Sequence, residues 1–145
     1  MSRLRHAGHR QVLEAAGPPV DPPLAQSVPT PTMDAAARRA RAMVTGGLHL
    51  DGAFCVTDTV ATGAPRGPAD AGVRVPGQVE VTGSDNAGES AFLVPSLSTV
   101  DPDHEQMAAE VVALSAARIG RARPPVDREE FVSRFLLVIR DSTGG

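Results

Sequence analysis

The sequence predicts an α/β chain with a parallel, doubly wound sheet and helices on both faces. Three observations carry that expectation. Apolar runs alternate with helix-forming segments, which is the pattern of strand–helix–strand units. Two of the runs, Gly52–Asp58 and Val79–Asp85, end in an aspartate. The length of 145 residues suits one layered core.

In chain order, Arg3 to Ala16 reads as a helix, with Leu4, Ala7 and Val12 on one stripe and Gly17-Pro18-Pro19 as its stop. A proline-rich connection follows, and Leu24 to Val28 reads as a short strand. Asp34 to Val44 is rich in strong helix formers and is closed by Gly46-Gly47. Ala53 to Thr57 is a continuous apolar run of the kind a covered parallel strand requires. Asp58 is then a candidate cap for a helix from Thr59 to Ala71, stopped by Gly72.

Val79 to Gly83 and Leu97 to Val100 are the next extended pieces. Pro102 to Ile119 reads as a helix with Asp101 as cap, Asp103 and Glu105 at the positive end of its dipole, Arg118 and Arg121 at the other end, and Gly120 as its stop. After Pro124-Pro125, the segment Glu130 to Arg140 reads as a final strand, with Phe131, Phe135, Leu137 and Ile139 as its apolar residues.

The net charge of −3 gives no general attraction for nucleic acid, and no basic helix pair precedes the core. Every basic residue other than histidine is arginine, which points to a GC-rich genome and says little about function. Cys55 is the one cysteine, so no intrachain disulfide forms, and mid-strand it reads as a buried thiol. No stretch approaches membrane-spanning length and no apolar run follows the amino-terminal arginines, so the expectation is a cytoplasmic protein without membrane contact. His6 and His9 have metal-compatible spacing but no accompanying ligand cluster. With no nucleophile–base pair, phosphate loop or catalytic carboxylate pair, the expectation is no enzyme, no metal and no cofactor.

The order of motifs is more specific than any one of them. Thr57-Asp58 ends a strand, Ala71-Gly72-Val73-Arg74-Val75-Pro76 follows a helix, Gly83-Ser84-Asp85-Asn86 ends the next strand, and Pro95-Ser96-Leu97-Ser98-Thr99-Val100 comes after. Leu137-Val138-Ile139-Arg140-Asp141-Ser142 closes the series. From about Arg3 to Ser142 the chain resembles the effector-binding part of the lactose/galactose-repressor (LacI/GalR) family of transcription regulators.

The resemblance implies a type I periplasmic-binding-protein-like fold, here incomplete. Residues 1–145 would be a partial effector-binding domain, without the DNA-binding headpiece and most of the amino-terminal lobe. The ligand would be a small effector, a sugar or a nucleobase-like molecule, and DNA would be reached only through the missing headpiece. Homodimerisation, or pairing with a full-length regulator, is implied by the family's habit of dimerising through this domain. A sugar-binding module of periplasmic type is the alternative.

Four residues are the site candidates. In open α/β sheets ligands bind outside the carboxyl ends of the strands, where Asp58 and Asp85 lie. Carboxylates accept hydrogen bonds from vicinal hydroxyls and arginine donates several from a planar fork. Asp85 matches the first acid of the family's Gly-aromatic-Asp-Asp motif, and Arg5 matches an arginine three residues before a Gly-aromatic pair, here Gly8-His9. Thr57 stands where many members have asparagine, and Asp58 is open to both capping and ligand contact.

Some positions read as damaged. Pro65 and Pro68 fall inside the helix predicted after Asp58, at about 3 kcal/mol each. Ser115 interrupts the stripe Ala108, Val111, Val112, Ile119. The family has leucine near 65, 68 and 115 and aromatics at 9 and 84, so the sequence suggests a decayed or mutated remnant of a regulator.

Overall fold

The computed structural model describes residues 2–17, 22–119 and 131–144. Four strands form one sheet in the order β1 (Gly52–Phe54), β2 (Glu80–Ser84), β3 (Ser98–Asp101), β4 (Leu136–Val138). The first three run parallel and β4 pairs antiparallel with β3. Register places Ala53 beside Val81 and Gly83 beside Thr99, so these four share one face, while Phe54 and Thr82 share the other.

On the Val81 face lies the core of Ala36, Cys55, Val60, Ala61, Val79, Val81 and Leu97. It is covered by α3 (Asp58–Gly63), with α2 (Met33–Thr45) behind α3 and α4 (Arg66–Asp70). α1 (Ser2–Ala16) approaches the opposite side, where the His9 ring stacks on Phe54 at 5.4 Å. The expected stripe of Leu4, Ala7 and Val12 is exposed. The half-buried residues of α1 are Arg5 and Leu13, which, with His9, follow the four-residue spacing of one helix face.

Several boundaries differ from the sequence reading. Leu24 to Val28 is not a strand, because Pro22–Leu24 forms a single turn of 3-10 helix and the next residues carry no ladder. Thr57, not Asp58, caps α3: its hydroxyl accepts from the Val60 amide at 3.3 Å. The single helix expected over 59–71 is two. Pro65 occupies the junction with helical dihedrals, and Pro68 is the third residue of α4, where a backbone donor has no partner within the helix. Both prolines therefore sit where their missing N–H costs little, and the expected loss of about 3 kcal/mol each does not apply.

The long helix α5 spans His104–Arg118, and its cap is Asp103, whose carboxylate accepts from the Gln106 amide at 3.1 Å. Asp101 instead accepts from the Asp103 amide at 2.9 Å, and Pro102 precedes the helix. α5 buries none of its residues, so Ser115 interrupts no buried stripe. The final strand is shorter than expected, since Phe131 to Phe135 have no ladder partners. Gly120, Arg121, Pro124-Pro125 and Glu130 lie outside the described residues, as do Pro18 and Pro19. Gly72 and Gly47 end their segments at φ of 79° and 83°, the left-handed conformation that glycine adopts without a Cβ clash.

Candidate functional site

Arg5 and Asp85, eighty residues apart in sequence, meet at the carboxyl ends of β1 and β2. The Arg5 guanidinium donates to the Val56 carbonyl from one nitrogen and lies 3.3 Å from Asp85 Oδ1 through the other. Their side chains remain 26% and 37% exposed, so both are open to solvent. The bridging arginine fork reads two acceptors at once, one fixed in the backbone and one on a loop.

The loop carrying Asp85 is held in an uncommon conformation. Asp85 has φ 133° and Asn86 φ 49°, consecutive positive values that side-chain-bearing residues rarely adopt without support from their surroundings. Support comes from several directions. The Asp85 amide donates to Val100 O at 2.9 Å, and His104 Nε2 lies 2.7 Å from the Asp85 carbonyl, which accepts from it. The Asn86 side chain donates to Asp101 Oδ2 at 2.8 Å and accepts from Arg140 at 2.9 Å.

Asp58 lies beneath this loop at 2% exposure. Its Oδ2 accepts from the Ala87 amide and from Ser90 Oγ, each at 2.8 Å, and its Oδ1 accepts from Thr99 Oγ1 at 2.5 Å. Gly83 makes room for it: a Cβ there would stand 2.1 Å from Asp58 Oδ1. Of the four sequence candidates, Arg5 and Asp85 are brought into contact, half-buried Thr57 caps α3 beside them, and Asp58 is turned inward. Asn86 stands where the family motif has its second acid, a place that suits its role in the loop, whereas the parts played by Thr99, Ser90 and Arg140 escaped sequence reasoning because single polar residues in short elements carry no distinguishing pattern, and His104 sat at an ordinary helix start.

Cys55 is buried, and burial together with the Asp58 charge pushes its thiol up to about 12. It is an inert core group. Among the described residues no three His, Cys, Asp or Glu side chains gather as a metal site, and no helix is long and apolar enough to cross a membrane. A separate open concavity, lined by Asp51, Gly52, Gln78 and Glu80, lies at the amino ends of β1 and β2, away from Arg5 and Asp85.

A periplasmic binding protein-like domain matches residues 1–143, nearly the whole chain. The chain belongs to this family. Within it, the likeness is to LacI-type transcription regulators. A structure described as a LacI-family regulator from Sanguibacter keddieii superposes with a TM-score of 0.92 at 35% identity, over 99% of this chain and 53% of that one. The ribose operon repressor of Halalkalibacterium halodurans is 30% identical over 113 residues, 78% of this chain and 34% of the repressor. The cellobiose complex of the regulator CelR superposes with a TM-score of 0.83 at 29% identity, over 95% of this chain and 41% of that one. The chain thus spans about a third to a half of the length of these relatives, and what it represents of them is the effector-binding region.

Proposed function

We propose that this chain recognises a small polyhydroxylated or nucleobase-like effector, with Arg5 and Asp85 as direct contacts and Thr57 at the adjoining strand end. The carrying observation is the Arg5–Asp85 pair at 3.3 Å on an accessible surface at the carboxyl ends of two parallel strands. A sugar presents neighbouring hydroxyls that donate to both oxygens of Asp85, while its ring or hydroxyl oxygens accept from Arg5. Thr57 uses an oxygen lone pair for capping, which leaves its O–H able to donate. Asp58, with both oxygens engaged inside the protein, contributes through the loop rather than by touching the ligand.

In this reading the chain is a cytoplasmic, non-enzymatic part of a transcription regulator, and DNA is contacted by a headpiece rather than by these residues. The CelR relative bound to cellobiose supports a sugar as the first class to try. The test is thermal unfolding followed by circular dichroism, with a panel of mono- and disaccharides, purines and pyrimidines. One compound should raise the transition in a concentration-dependent way, since a ligand binding only the folded state stabilises it by mass action. A cooperative transition indifferent to the whole panel would overturn the effector reading.

A second reading, pairing with a longer regulator, is favoured by α5. Val111, Val112 and Ile119 are 61%, 67% and 82% exposed, apolar side chains left open among the described residues. Tagged chain should recover a full-length LacI-type regulator, and Val112→Glu should abolish recovery. Unchanged recovery with that variant would exclude the stripe as the contact.

A further inference from the structure

We infer that Asp58, acting with Thr99, is the positioning residue of the effector loop, holding Asn86 and Ala87 so that the Asp85 carboxylate meets Arg5. The inference rests on the effector reading for its consequence but on hydrogen bonding for its substance. The two amides that follow Asp85 are both captured from below. Ala87 N–H donates directly to Asp58 Oδ2 at 2.8 Å. Asn86 N–H donates to Thr99 Oγ1 at 3.2 Å, and that hydroxyl in turn donates to Asp58 Oδ1 at 2.5 Å.

A carboxylate is acceptor-only, so it orders every donor around it. Asp58 fixes the Thr99 proton toward itself, which leaves the Thr99 lone pairs pointing to the Asn86 amide. Ser90 completes the cradle at 2.8 Å and ties down the far end of the loop. Asp58, Ser90 and Thr99 are all at most 2% exposed, so water does not compete for these bonds. The positive φ values of Asp85 and Asn86 are the conformation that this cradle selects. Asp58 therefore acts through the loop, without contact to the ligand.

Amide hydrogen exchange in the ligand-free 145-residue chain tests this directly. Thr99→Val keeps the side-chain shape and removes the hydroxyl. Exchange at Asn86 and Ala87 should accelerate about tenfold or more, with Thr82 and Gly83 of β2 unchanged. Thr99→Ser should restore protection, and Asp58→Ala should exceed the effect of Thr99→Val. With the sugar that stabilises the parent chain, affinity should fall by about tenfold in Thr99→Val and recover in Thr99→Ser.

Unchanged exchange at Asn86 and Ala87 in both Thr99→Val and Asp58→Ala would overturn the inference. So would loss of protection spread evenly over β2, or of the fold, in both variants, which would mark Asp58 as general core support. A parent chain that binds no member of the panel would sink the effector reading, while the exchange result would still decide whether Asp58 positions the loop.

Discussion

Adding one methyl group at Gly67 sets two physical effects against each other with opposite signs. By helix propensity alone, Gly67→Ala should stabilise the chain by up to about 1 kcal/mol. The structure predicts the reverse. A Cβ at Gly67 would stand 2.4 Å from both the Ala37 carbonyl oxygen and the Arg41 amide nitrogen, and 3.0 Å from the Ala40 carbonyl carbon. All three are backbone atoms of α2, and no rotamer moves them aside. Restoring ordinary contact requires α2 to retreat by about 1 Å, in an interior packed at crystal density. Overpacking of this kind costs about 1–3 kcal/mol, and the upper end applies because backbone must yield.

The net expectation is a loss of about 2 kcal/mol from a total of about 5–15. That corresponds to a fall in Tm of about 4–8 °C for a chain of this size. Gly63 makes the same kind of approach, with Met33 O at 2.1 Å from its Cβ position, and Gly63→Ala should lose at least as much. Gly8→Ala is the control: nothing lies within 4 Å of a Cβ there, and propensity should raise stability. Urea unfolding of the three variants by circular dichroism is the assay. A higher midpoint for Gly67→Ala would refute the close approach of α2 and α4.

Three further outcomes are expected. Arg5→Lys should weaken the stabilising effector by about tenfold or more, because an ammonium cannot serve the Val56 carbonyl and the ligand through a planar fork; isothermal titration reads this, and unchanged affinity would remove Arg5 from the contact set. Cys55 should resist thiol reagents in the folded chain below pH 9 and react on unfolding; since its folded value lies above the ordinary 9.0, its contribution is present below about pH 9 and lost as pH rises toward 12, so Cys55→Ala should flatten the fall in urea midpoint over that range. Ser142→Ala should cost about 1–3 kcal/mol by leaving the Ser98 amide and the Val81 carbonyl without their partner, and an unchanged midpoint would show that neither group depends on it.

The parallel strands and the long helices were legible because their signals are repeated: Val79 to Gly83 through its alternate apolar residues before Asp85, and Asp34 to Val44 as a block of helix formers. The helix ends were not. Capping was assigned to Asp58 and Asp101, yet Thr57 and Asp103 perform it, because the choice among neighbouring polar residues depends on which side chain the tertiary fold pulls inward. Pro65 and Pro68 read as lesions because one continuous helix was assumed; a break of two residues makes Pro65 the cap position of α4 and Pro68 a first-turn residue. The Arg5–Asp85 pair came from motif correspondence, since nothing local relates residues eighty positions apart. The Asp58 cradle depends on which way one buried carboxylate faces, a property that no spacing encodes.

Ser142 has a consequence for the order in which the protein is made. Its hydroxyl donates to Val81 O at 2.6 Å and accepts from the Ser98 amide at 2.8 Å, so one side chain near residue 145 stitches β2 to β3. Arg140, beside it, reaches Leu97 O at 2.6 Å and Asn86. Both residues follow β1, β2 and β3 in the chain, so the Asn86 loop gains its arginine and the β2–β3 seam its fastener only from a segment made after all three parallel strands. A chain that folds in sequence order therefore assembles the core around Val81 and Leu97 before the Asn86 loop receives its last two supports.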